Sequence, residues 1–487
     1  MASASAVGTR QAPERDILKV ALTALTGSSI EWYDFFIYGT AAALVFPTLF
    51  FSADMPPLVA TLASFSTFAV GFIARPIGGI VFGHFGDKSG RKKALVTALL
   101  MMGIATTAIG LLPSYATIGW LAPLLLIVLR FVQGLAVGGQ WGGAVLLATE
   151  SSPRDKRGFY GSFAQIGVPV GVILAQLLFL LISSSLAPEA FQAWGWRVPF
   201  LLSIVLIGVA MYVQLRLEDT PAFRHLQEAK EAREREELER VAAERNQSVE
   251  EARRELAAER QPSPVMEAIR THPKQILLAM GAFIAINANF YVFITFIIAY
   301  GTNPEILGLS QTTMLAAVLI ASVFQIPALL FFAGLSDRIG RRGLYMAGAA
   351  LLGIFSFPFW LMVNSENFIL IALALIIGQA FLSMMYGPQA ALYSELFSTK
   401  MRYSGASLGY QGGSIFGGAL APIIATALYA RFGTSIAIAV YMAVVCAITL
   451  LSVYLLSETY QTDMDEEAGA AGGASEPVGG TQGTATS

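Results

Sequence analysis

The stretch Gly83-His84-Phe85-Gly86-Asp87-Lys88-Ser89-Gly90-Arg91-Lys92-Lys93 returns in the second half of the chain as Ser336-Asp337-Arg338-Ile339-Gly340-Arg341-Arg342. Each copy joins two long apolar segments. A tight, glycine-hinged turn with one carboxylate and several cations suits a short cytoplasmic link between transmembrane helices, because Lys and Arg accumulate on that side of a bilayer. Its presence in both halves predicts a duplicated membrane protein.

Composition agrees. A chain of 487 residues that is 55% hydrophobic and 13% charged cannot cover itself with polar surface in water. The formal net charge of -2 gives no support to a nucleic-acid partner. Cys446 is the only cysteine, which excludes an intrachain disulfide and a cysteine-based metal site, while His84, His225 and His272 are scattered. No metal and no cofactor is expected. Met1 to Lys19 lacks the basic, then apolar, then small-residue order of a cleaved signal peptide, so the first helix is expected to remain as an anchor.

Apolar runs of about 20 residues span a hydrocarbon core. Such runs occur near Leu22–Leu49, Leu58–Phe82, Ala94–Leu112, Leu121–Ala148, Gly158–Leu180 and Pro199–Leu217. Six more fall near Ile276–Tyr300, Thr312–Phe332, Leu344–Val363, Phe368–Leu392, Ser407–Ala430 and Ser435–Leu456. The expected fold is all-α and integral to the membrane, with twelve transmembrane helices in two six-helix bundles. The domains follow: a cytoplasmic N-terminal tail (1–17), a first bundle (18–217), a charged linker (218–273), a second bundle (274–458) and a disordered cytoplasmic tail (459–487). Cations cluster in alternate links, including Lys88, Arg91, Arg154, Arg157, Arg338, Arg341, Lys400 and Arg402, which places both termini in the cytoplasm of a multi-pass inner or plasma membrane protein.

The halves also echo each other after helices four and ten, where Glu150 and Arg157, and then Glu395 and Arg402, bracket a link seven residues apart. Between the halves, Glu218 to Arg260 alternates acids and bases, as in Glu231–Arg235 and Glu236–Arg240, a spacing that favours a solvated helix. The same segment suits a plain linker or a partner-binding element. The last residues, rich in Gly, Ala, Ser and Thr, bury too little apolar area to fold.

Charges inside spans are costly and usually face a partner or a watery cavity. Glu31, Asp34, Arg75 and Arg130 are of this kind. Glu31 and Asp34, three apart, sit on neighbouring positions of one helical face and could share a proton or a cation. The same carboxylates would serve equally to neutralise Arg75 or Arg130 in a fixed ion pair. Arg130, midway along helix four, offers paired donors to a carboxylate. Arg75, followed by Pro76, suits either a substrate or a pairing with helix one. Tyr38, Gln133, Gln140, Trp141, Asn287 and Tyr386 are further candidates to line a substrate cavity, and the glycines around Arg130 suit close helix packing.

The basic turns, together with Arg130–Gly134, resemble motifs of the major facilitator superfamily. Gly27-Ser28-Ser29-Ile30-Glu31-Trp32-Tyr33-Asp34-Phe35-Phe36-Ile37-Tyr38-Gly39 resembles the helix-one signature of its metabolite:proton symporters, among them shikimate, α-ketoglutarate, citrate and proline/betaine carriers. Ala74–Gly79, Gly83–Asp87 and Trp194–Phe200 support the likeness, and Gly142–Glu150 is most similar to the shikimate-type branch. Gln140 departs from it, because that branch commonly has an acid there. The resemblance implies alternating access, with Asp87 and Arg91, Asp337 and Arg341, Glu150 and Arg157, and Glu395 and Arg402 latching the cytoplasmic side.

The function expected is proton-coupled uptake of a small organic acid by a monomer, with Arg130 and Arg75 on the carboxylate and Asp34 and Glu31 carrying the proton. Uptake of a zwitterionic osmolyte such as proline or betaine, and a nutrient sensor that does not transport, are the alternatives. No nucleophile–base pair, metal cluster or phosphate loop suggests an enzyme.

Overall fold

A computed structural model describes residues 14–89, 91–138, 156–218, 235, 238–243, 245, 247–253, 269–397 and 402–459. Among them lie twelve long helices and no strand. The first half comprises α1 (Glu14–Leu44), α2 (Pro57–Ser89), α3 (Arg91–Leu111), α4 (Leu121–Gly138), α5 (Arg157–Ser185) and α6 (Arg197–Glu218). In the second half, α7 joins Pro273–Tyr291 to Ile297–Thr302 through a π turn, Val292–Phe296. It is followed by α8 (Gln311–Ile339), α9 (Arg342–Val363) and α10 (Phe368–Leu396). Then α11 joins Arg402–Ser414 to Ala421–Phe432 through a second π turn, Ile415–Ala419, and α12 is Ile436–Leu455.

Nine of these are long and apolar enough to cross a membrane, and the bent pair Pro188–Gly195 and Arg197–Val209 makes a tenth. Of the other two, α1 carries Glu31 and Asp34, and α3 holds a shorter apolar run, Val96–Leu111. The twelve expected spans therefore each have a helix, with adjusted ends. α1 stops at Leu44 rather than Leu49, since Val45 leaves helical geometry and Pro47 opens a separate turn, Phe46–Leu49. α4 is described to Gly138, and the expected extension to Ala148 lies outside the described residues. In the first basic stretch, Asp87 to Ser89 continue α2, so a single residue separates α2 from α3. The second copy is a true hinge, with Gly340 at φ 94°, a region that glycine enters at little cost.

Within the first half α2 and α4 touch backbone to backbone. A Cβ on Gly78 would overlap the Leu135 carbonyl, and one on Gly138 would overlap the Arg75 carbonyl. Small residues that let helices approach this closely are a means of association in lipid, where burying apolar side chains against each other gains little. The halves meet where α5 packs on α8 and α10, and where α2 packs on α11. Of the charged linker, residues 238–243 and 249–253 are helical, the latter opened by Ser248, whose Oγ accepts Glu251 N at 3.2 Å.

Candidate functional site

Phe35 of α1 has a guanidinium on each side along the helix. Arg75 of α2 lies 4.2 Å from its ring centroid and 5.1 Å from that of Trp32, one turn earlier. Arg130 of α4 lies 4.1 Å from the same Phe35 centroid and 4.1 Å from Tyr38, one turn later. Phe72 and Phe68 of α2 close the stack at 4.7 Å from Arg75 and 4.8 Å from Arg130. The arginines are 2% and 0% exposed. Aromatic faces stabilise a desolvated cation by about 2 kcal/mol each, less than an ion pair would need to offset full burial. Nε and Nη2 of both arginines have no hydrogen-bond partner among the described residues. Four buried N–H-bearing nitrogens without an acceptor among the described residues are the chemistry that an anion would satisfy.

Arg130 reaches its place because Gly71 leaves room: a Cβ there would stand 2.6 Å from Arg130 Nε. Its Nη1 donates to Gln133 Oε1 at 2.5 Å. The Asp34 carboxylate lies apart from both arginines. It is fully buried beside the hydroxyls of Thr106 (α3) and Ser203 (α6), without a hydrogen bond to either carboxylate oxygen. Glu31, half-buried one turn earlier, faces Arg75 and Asp34. The fixed ion pair that the sequence left open for Asp34 is therefore not formed.

Two of the expected substrate contacts have other work. Gln133 is saturated by Arg130, Thr106 and the Asp34 carbonyl, so its amide is not free for a substrate. The Tyr38 hydroxyl donates to Thr67 Oγ1 at 2.7 Å, and its ring carries Arg130. Asn287 of α7 is buried, its Nδ2 without a partner among the described residues, and Tyr386 of α10 is buried facing Tyr410 and Tyr291. Gln140 and Trp141 lie outside the described residues. Tyr291 joins the site from the second half. From α7 it turns its hydroxyl to Arg75 and packs its ring on Phe72 and Phe68, at 5.1 and 5.6 Å, so the second half covers the arginine pair. Thr106, Ser203, Phe35 and Gly71 were missed; hydroxyl, aromatic and glycine residues inside a span are too common to single out by sequence.

A second charged cluster closes the basic end. Asp337 accepts Gly158 N and Phe159 N of α5 at 2.9 Å each, across the two halves. Arg341 donates to Asp337 at 2.6 Å and to Glu395 of α10 at 3.2 Å. Burial opposes its charge, yet Glu395 and Asp337 hold the Arg341 guanidinium above its ordinary value. Glu395 takes its other bond from Thr459, the first residue of the expected tail, at 2.9 Å. Buried Arg157 lies within electrostatic reach of Glu395. Glu458 accepts the backbone N–H of Arg341 and of Arg342 at 3.1 Å each, capping α9. The repeated motif thus places Asp337, Arg341, Glu395 and Arg157 together. Glu395 is held by Arg341; the side chains of its sequence partner Arg402, of Asp87 and of Arg91, and all of Glu150, lie outside what is described.

Residues 20–467 match the family described as "Sugar (and other) transporter". The inner membrane metabolite transport protein YhjE of Escherichia coli is 40% identical over 91% of this chain and 94% of that protein. The Escherichia coli shikimate transporter is 37% identical over the same shares. The glycine betaine/proline/ectoine/pipecolic acid transporter OusA of Dickeya dadantii is 34% identical over 91% of this chain and 84% of its own length. In fold, the major facilitator proton:xylose symporter XylE superimposes with a TM-score of 0.67 at 18% identity, covering 92% of this chain and 97% of that structure. The chain belongs to the sugar (and other) transporter family of the major facilitator superfamily, and is a secondary transporter of the membrane rather than an enzyme.

Proposed function

We propose that this protein takes up a small organic acid together with protons across the inner membrane, both termini facing the cytoplasm. The observation that carries the reading is the arginine pair around Phe35, whose unpartnered nitrogens are set for a carboxylate. Arg130 and Arg75 hold the anion, and Asp34 with Glu31 carries the proton. Among the described residues Arg130 has no carboxylate partner to give up when substrate arrives, so binding adds an anion to a site already short of one. Tyr291 brings the second half onto the same arginines, which gives the anion a way to favour closure of the bundles.

The relatives support the substrate class: the 37% identical protein is a shikimate transporter. The 34% identical OusA favours the zwitterion reading. Against it, the aromatic faces that could cage a quaternary ammonium are already occupied by guanidinium groups.

Uptake into proteoliposomes under an inward proton gradient tests the proposal, with shikimate, α-ketoglutarate, citrate, proline and betaine compared. Accumulation of one organic acid, abolished by a protonophore and by Asp34→Asn, is the expected result. Accumulation of betaine alone would replace the acid reading, and no accumulation at all would end the symport reading.

A further inference from the structure

Gln133 joins three helices through one carboxamide. Its Oε1 accepts from Arg130 at 2.5 Å, and its Nε2 donates to Thr106 Oγ1 of α3 at 2.7 Å and to the Asp34 carbonyl of α1 at 3.3 Å. Thr106 Oγ1 in turn donates to the Met102 carbonyl at 2.8 Å and stands beside the Asp34 carboxylate. Gln133 is 1% exposed and Thr106 0%. An amide with both its oxygen and its nitrogen engaged in a dry interior is a poor ligand surface and a good clamp, because releasing any one bond leaves a buried polar group unmatched.

We propose that Gln133 and Thr106 are positioning residues that link the charge on Asp34 to the aim of Arg130, and thereby couple proton and substrate without touching either. The proposal rests on the symport reading above. Thr106 has one hydroxyl proton to give. With Asp34 neutral, that proton stays on the Met102 carbonyl and the Oγ1 lone pairs remain turned to Gln133. With Asp34 ionised, the carboxylate is the stronger acceptor and draws the hydroxyl round, since bonds to a charged acceptor are roughly twice as strong as neutral ones. The Thr106 oxygen keeps a lone pair for Gln133 Nε2 and, donating to a charge, becomes the stronger acceptor, which pulls the Gln133 amide toward α3 and with it the Oε1 that orients Arg130 Nη1. The proton on Asp34 and the set of the guanidinium rise and fall together.

The surroundings leave Asp34 few other routes to Arg130. On its own helix it faces Glu31 and Tyr33. α3 and α6 present the Thr106 and Ser203 hydroxyls, and α2 presents Arg75 to Glu31. α5 places Gln176 on Thr40, two turns away, and Tyr291 of α7 packs on Phe35 and Phe36. α4 reaches the Asp34 backbone through Gln133.

The test compares two fluxes in proteoliposomes, with radiolabelled shikimate and betaine run side by side as probes. Counterflow at equal pH needs binding and alternation but no net proton movement; accumulation under a proton gradient needs coupling. Thr106→Val, which keeps shape and removes the hydroxyl, is expected to hold counterflow within about threefold of wild type. It is expected to lower gradient-driven accumulation by about tenfold or more and to flatten the pH dependence of the half-saturation concentration. Thr106→Ser restores both. Thr106→Ala gives a second hydroxyl-free variant if the valine does not fold. The link is overturned if a folded hydroxyl-free variant accumulates like wild type, if it loses counterflow and accumulation in equal measure, or if the serine fails to rescue. A wild-type protein that accumulates neither probe instead overturns the symport reading on which the link rests.

Discussion

Asp337 of α8 holds the N-terminus of α5 in the other half of the molecule by accepting the Gly158 N–H on one carboxylate oxygen and the Phe159 N–H on the other, each at 2.9 Å. A helix N-terminus presents free N–H groups and a partial positive charge, so a carboxylate set across it is a natural anchor. Gly158 is part of the fit, since a Cβ there would stand 2.7 Å from the Ala333 carbonyl. The same carboxylate is held from behind by Arg341, which makes the contact one charged unit spanning α5, α8 and α10.

Asp337→Asn should open this end. The amide keeps one acceptor oxygen, but its NH2 faces a backbone donor and its neutrality leaves Arg341 with Glu395 as its one carboxylate partner among the described residues. Losing one charge-assisted bond and misplacing a donor is worth about 2–3 kcal/mol, which moves a two-state equilibrium about 30- to 160-fold. In a Cys446→Ala background, a reporter Ser162→Cys on buried Ser162 of α5 should react with a membrane-impermeant thiol reagent at least tenfold faster when Asp337→Asn is added. An unchanged rate would mean that the contact does not govern this end.

Two glycines in α2 and α4 separate binding from stability. A methyl at Gly71 meets the far end of the Arg130 side chain, which can yield, whereas a methyl at Gly138 meets the Arg75 carbonyl, which cannot. Gly71→Ala should therefore weaken substrate binding by about tenfold or more, with thermal stability nearly kept, because small displacements of a positioning group are costly to function. Gly138→Ala should force α2 from α4 and lose about 1–3 kcal/mol of stability. Thermal unfolding in detergent alongside equilibrium binding checks both; equal effects at the two sites would refute the contrast.

The twelve helices were legible because lipid demands runs of apolar residues, and part of the charged cluster around Asp337 was legible because a charged motif repeated itself. Asp34, Arg75 and Arg130 stood out for the same reason, being too costly to keep inside a span without use. What could not be read was the partner of each. Spacing along one helix makes Arg130 and Gln133, three apart, neighbours, but it does not tell two ligand-facing side chains from a pair bonded to each other, which is what the structure shows. Thr106, Ser203 and Tyr291 come from other helices, and no periodicity in a span says which residue of one helix meets which residue of the next. Glu458 escaped notice because a carboxylate beyond the last span reads as one more solvated charge, whereas it caps α9.

Glu458→Ala should leave the first N–H groups of α9 unmatched and loosen Gly340, whose hinge the carboxylate abuts. Cap removal costs about 1 kcal/mol in ordinary helices, and here it also frees the backbone that carries Arg341. The expected result is a modest fall in thermal midpoint together with faster labelling of the Ser162→Cys reporter. Glu458→Gln should restore part of the stability, because its amide oxygen still accepts one N–H. A fall in midpoint without any change in labelling would confine Glu458 to a structural role.

Arg130→Lys asks whether the site recognises charge or shape. Lysine keeps the charge as a compact, strongly hydrated point, and it cannot lie flat on Phe35 and Tyr38 while bonding Gln133. If the carboxylate is held by a planar guanidinium set between rings, affinity for an organic acid should fall about 100-fold, the scale of a lost bidentate bond to a charged group. Phe35→Leu should fall less, about threefold to tenfold, because it removes the shared ring from both arginines but leaves Tyr38, Phe68, Phe72 and Trp32 in place. Calorimetric titration of the purified variants with the acid identified by uptake measures both. Full affinity in Arg130→Lys would show that charge alone is sufficient, and the stacked geometry would then be a packing solution for a buried cation rather than the basis of recognition.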